Sequence, residues 1–129
     1  MILVLQATVT GCNNYEPVPK PTVERNQAPR ELYKLTISLP AEIASAPLKR
    51  ARANYSIKNR RCIPMDHTMA LGGTRPHFTE RIDIDFHRTG DAEYTGYLYG
   101  DAFVSADYYG LGVCNWALVS VDALIGLKH

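Results

Sequence analysis

Between Phe78 and His87 the chain alternates, with Ile82, Ile84 and Phe86 set against Arg81, Asp83 and Asp85. A period of two puts the first set on one face of an extended strand and the second on the other, so the segment predicts a half-buried β-strand with a charged outer face. Arg88-Thr89-Gly90-Asp91 supplies turn residues, and Glu93 to Tyr99 is rich in Tyr and Thr. The two runs are expected to pair as an antiparallel hairpin.

The same pattern recurs on either side. Tyr33, Leu35, Ile37 and Leu39 alternate with Lys34, Thr36 and Ser38, a strand that Pro40 ends. Ala41 to Ala53 reads as a loop or one short turn, because Pro47 interrupts any helix. Asn54 to Lys58 is a second strand, Asp66 to Pro76 a long loop, and Ala102-Phe103-Val104 a continuation of the hairpin's sheet. Cys114 to Ile125 has apolar residues on both faces and is expected to be a central or sandwiched strand. At 129 residues there is room for one domain, and a net charge of +1 argues against nucleic acid as the main partner. The basic residues Lys49, Arg50, Arg52, Arg60 and Arg61 are read as a solvated face or loop.

The first twelve residues carry a different signal. An apolar run from Met1 to Thr8 leads into Val9-Thr10-Gly11-Cys12, which resembles a bacterial lipoprotein signal with Cys12 as the lipidated residue. Val9 and Thr10 stand where that pattern usually has Leu and Ala or Ser, and no Lys or Arg precedes the run. The alternative is a buried first strand from Ile2 to Val9. Residues 13–30 contain Pro17, Pro19, Pro21 and Pro29 and are expected to form an extended, solvated tether, leaving a β domain over 31–129. By the sorting rule of that resemblance, Asn13 after the acceptor points to the periplasm and the outer membrane of a Gram-negative cell.

Assigning Cys12 to lipid leaves Cys62 and Cys114 as a pair in an oxidising compartment, where a disulfide forms and persists. Two separate buried thiols are the alternative. Trp116 falls two residues beyond Cys114, on the same strand face, where it can pack against the bridge. About six strands, almost no helix and one disulfide predict an all-β fold, an antiparallel sandwich or small barrel.

Candidate chemistry is sparse. His67, His77 and His87 are not spaced as metal ligands on one strand or helix, so neither a metal nor another cofactor is expected. Asp83 and Asp85 are most simply alternating charge on a solvated sheet face. No nucleophile elbow, zinc-binding helix or phosphate-cradling loop occurs, and no catalytic residue is assigned. The aromatic content is more pointed. Tyr94, Tyr97, Tyr99, Tyr108 and Tyr109, with Asp101 and Asp107 among them, crowd the hairpin and its following loop, a composition suited to a protein interface.

Asn54 to Asn59 before Cys62, with Tyr94-Thr95-Gly96 and Asp107 through Trp116 around Cys114, resemble the small periplasmic immunity lipoproteins made beside type VI secretion effectors. That resemblance implies a non-enzymatic protein, anchored through Cys12, that binds and blocks a secreted toxin such as a phospholipase or cell-wall hydrolase. Two other readings stand beside it: an envelope-assembly lipoprotein that binds resident proteins, and a small hydrolase or ligand-binding domain with a polar pocket at His67 or His77.

Overall fold

Ala51, Ala53, Tyr55 and Ile57 are all buried, while Arg50, Arg52 and Ser56 between them reach solvent to differing degrees. This alternation runs through β2 (Leu48–Ile57), the central strand of a sheet flanked by β3 (Thr79–Asp83) and β6 (Trp116–Ile125). A second sheet has β5 (Glu93–Tyr99) between β1 (Leu32–Ser38) and β4 (Phe86–Gly90). All pairings are antiparallel. The computed structural model describes residues 16–68 and 72–126, and over them the chain is the all-β, six-strand, disulfide-linked fold its alternation predicts.

β2 begins at Leu48 rather than Asn54. Ala51 and Ala53 are too small to stand out as an apolar face between arginines, but in the sheet they sit opposite Ala123 and Val121 of β6 and are fully covered. The expected continuous strand from Phe78 to His87 is instead two strands. Ile84 leaves β3 with its N–H donated to the Ala51 carbonyl at 2.8 Å, and Phe86 opens β4 in the other sheet. The alternation survives the crossover because Ile82, Ile84 and Phe86 stay on the core side throughout, which is why it reads as unbroken. Gly96 makes the corner possible: a Cβ there would lie 3.0 Å from the Asp85 carbonyl, Ile84 Cγ2 and Phe86 Cδ1. The β4–β5 turn is confined to Asp91 and Ala92, so Arg88, Thr89 and Gly90, expected in the turn, belong to β4, with Gly90 opposite Glu93 and Ala92 at φ 61°.

β6 is an edge strand, not a central one, because β2 occupies the middle of its sheet. Trp116, Leu118 and Val121 face the core, whereas Val119 sits at a bulge and is exposed with Leu124. Tyr33 likewise departs from the inward set of β1 and is largely exposed at that strand's edge.

The segment read as a free tether is extended but belongs to the folded unit from residue 16 onward. Val18 and Val23 pack against the core. Arg25 bridges Phe103, Asn26 N–H donates to the Ala102 carbonyl, and Val104 N–H donates to the Glu24 carbonyl. Residues 102–104 therefore pair with this strap instead of prolonging the β1–β5–β4 sheet. Prolines leave few backbone donors, yet the valines between them give the strap an apolar side to bury. Beneath it Phe103 meets Tyr55 edge-on at 5.1 Å between ring centroids and Trp116 at 5.7 Å.

Cys62 and Cys114 are joined, with Cα atoms 5.4 Å apart and a sequence separation of 52. The bridge ties a 3₁₀ turn (Arg60–Cys62) to the approach to β6, and both sulfurs belong to the same buried cluster as Trp116. Residues 1–12, including the expected anchor at Cys12, lie outside the described residues.

Candidate interaction surface

On the outer face of the β1–β5–β4 sheet, Leu32 lies opposite Tyr99 and Lys34 opposite Tyr97. Side chains directly opposite one another on a sheet face are neighbours, so these four form one patch. Its apolar members stay in solvent: Leu32 is 54% exposed, Tyr97 57% and Tyr99 38%. The backbone beneath is fixed from the inside, since the buried Tyr55 hydroxyl donates to the Tyr99 carbonyl at 2.5 Å. Lys34, Thr36 and His87 supply a polar surround on the same face.

Beside this patch the edges of the two sheets frame a cleft of about 280 Å³. Glu31, Tyr33, Gly100 and Asp101 line one wall; Lys58, Trp116, Ala117 and Leu118 line the other. Asp101 has a fixed role there. Its carboxylate accepts the backbone N–H groups of Arg30 (2.8 Å) and Glu31 (2.9 Å), and these bonds hold its pKa below the ordinary aspartate value. It positions the entry to β1.

The remaining tyrosines expected at a partner surface make contacts within the chain. Tyr94 faces inward and is buried, with its hydroxyl directed at the Ala46 carbonyl (3.4 Å) and the Arg88 guanidinium 5.7 Å from its ring centroid. Period two puts Tyr94 on the opposite face from Tyr97 and Tyr99, so the cluster divides across the sheet. Tyr108 accepts the Trp116 Nε1 proton at 2.9 Å and donates to the Val104 carbonyl. Tyr109 donates to the Pro19 carbonyl at 2.6 Å, and its phenol pKa is raised by burial and by the adjacent Tyr108. Asp107 accepts the Gly110 N–H at 2.7 Å and closes a turn.

A polar network on the other sheet escaped the sequence reading. Asn54 is buried on the outer face of β2 and donates to Ser120 Oγ (3.0 Å) and Asp122 Oδ2 (2.8 Å), while Arg81 Nε donates to its carbonyl oxygen (3.2 Å). Arg50 and Asp83 approach to 3.5 Å on the same face. The one signal for it was a lone Asn inside a strand, which needs partners once covered.

His67, His77 and His87 are exposed and lie in separate segments. Among the described residues, no three His, Cys, Asp or Glu side chains gather as a metal site. None of the described helices is long and apolar enough to cross a membrane. Comparison of the chain with protein-family models, curated proteins and solved structures finds no match.

Proposed function

We propose that this chain is an inhibitory binding protein held at a membrane through Cys12, an immunity lipoprotein whose partner is a secreted toxin acting in the periplasm. The observation that carries the reading is the exposed Leu32–Tyr97–Tyr99 strip. Aromatic side chains on a sheet lose little freedom when a partner covers them, and such anchors dominate the affinity of protein interfaces. The neighbouring cleft, with Glu31 on the wall nearest the strip, supplies a polar margin. A disulfide-linked domain suits an oxidising compartment.

The test is binding of the purified chain to the product of the adjacent effector gene, together with rescue of cells intoxicated in the periplasm. Wild type is expected to bind and to rescue, and Tyr97→Ala with Leu32→Ala to weaken binding by about tenfold or more without moving the melting curve. Absence of both binding and rescue by the wild type overturns the proposal.

A further inference from the structure

Three exposed apolar side chains crown the disulfide end of the domain: Met65 at 40%, Leu111 at 54% and Val113 at 50% exposure. They come from two loops that the Cys62–Cys114 bridge holds together. Asn59 tightens the junction by donating to the Val113 carbonyl at 2.6 Å and accepting the Asn115 N–H at 2.7 Å. Leu111 stands between Gly110 (φ 76°) and Gly112 (φ 109°), left-handed positions with open space where a Cβ would be, so it sits on an uncovered tip.

Cations flank these side chains. Lys58 and Arg61 are exposed, and Arg60 donates to the Arg75 carbonyl, which places two further guanidinium-bearing residues at the same end. The exposed carboxylates of these loops and the adjoining strap are Glu16, Glu24 and Asp107, against exposed cations at Lys20, Arg25, Arg30, Lys58 and Arg61, so positive charge is in excess. The strap also enters here: Val18 N–H donates to Asp66, Pro19 is held by Tyr109, and Lys20 pairs with Glu80 at 2.8 Å. Val18 is six positions after Cys12, a span of at most about 22 Å for an extended chain.

We infer that this end of the domain is a membrane-contact surface, with Leu111, Val113 and Met65 entering the interfacial layer and Lys58 and Arg61 meeting anionic lipid headgroups. Exposed apolar side chains flanked by cations are what an anionic bilayer surface retains. The inference takes its orientation from the anchor proposed at Cys12. It also leaves the Leu32–Tyr97–Tyr99 face open to a partner, since that face belongs to the outside of a sheet and not to these loops.

The experiment is vesicle flotation of the full chain carrying Cys12→Ser, which separates loop contact from lipidation. Vesicles of phosphatidylethanolamine with phosphatidylglycerol are compared with pure phosphatidylcholine. Binding is expected to the anionic vesicles alone and to fall as salt rises. Lys58→Glu with Arg61→Glu, both exposed positions, is expected to reduce it about tenfold or more, and Leu111→Ser with Val113→Ser to reduce it comparably. Unchanged melting curves show that the variants fold. No binding to anionic vesicles at low salt, equal binding to phosphatidylcholine, or binding indifferent to both pairs of substitutions overturns the inference. Mass spectrometry of Cys12 in membrane extracts reports on the anchor separately.

Discussion

The phenol of Tyr55 and the backbone carbonyl of Tyr99 are joined by a 2.5 Å hydrogen bond between the two sheets. It links the C-terminal part of β2 to the last residue of β5, directly under the exposed aromatic strip. Burial raises the Tyr55 pKa foremost, with Asp101 adding to the rise and Arg25 opposing it.

Tyr55→Phe keeps the ring and removes this bond, leaving a carbonyl without its donor. A loss of about 1–2 kcal/mol in urea unfolding is expected. Because the folded pKa is raised, the stabilisation is complete below about pH 10 and declines as pH climbs through the folded value. Alkaline titration of unfolding should show that decline in wild type and a smaller one in the variant.

Asp66 sits at the opposite end of the pH scale. Thr68 donates to its carboxylate from both hydroxyl and backbone N–H, and Val18 N–H adds a third bond, so its pKa is lowered despite burial. Its contribution is present above the unfolded aspartate value of about 4 and is lost as pH falls through the folded one. Asp66→Asn should lower the neutral-pH melting temperature and flatten its acid dependence. Hydrogen exchange at Val18 should rise in the same variant.

Breaking the Cys62–Cys114 bridge by paired Ser substitution removes a cross-link spanning 52 residues. The expected cost is on the order of 4 kcal/mol, read as a shift of the urea midpoint with and without reductant. A wild-type midpoint indifferent to reductant would contradict that value.

Gly96→Ala tests the crossover corner. Three atoms at 3.0 Å from the added methyl leave it no room, and a destabilisation of about 1–3 kcal/mol is expected from chemical denaturation. A neutral result would mean that the corner relaxes freely.

Strands were legible where large apolar residues alternate with polar ones, as in Leu35-Thr36-Ile37 and Tyr94 to Tyr99. They were obscure where the buried residue is small: Ala51 and Ala53 hid six residues of β2. The Ile82-Ile84-Phe86 alternation could not reveal a change of sheet, because a crossover that preserves facing leaves the period intact. Edge position is equally invisible, and β6 looked central since its uncovered side carries Val119 and Leu124. Of the candidate surface, Tyr97 and Tyr99 were named from the sequence. Leu32 was not, since its place in the patch depends on the register between β1 and β5.

The strap's attachments define how a pull on the amino end is borne. Asp66, which holds Val18, is four positions from Cys62, and Tyr109, which holds Pro19, is five from Cys114. Tension entering at residues 18–19 thus divides between two loops that meet at a covalent bond and passes into the ends of β2 and β6. A pull at residues 18–19 would therefore meet a covalent cross-link before it reached either sheet.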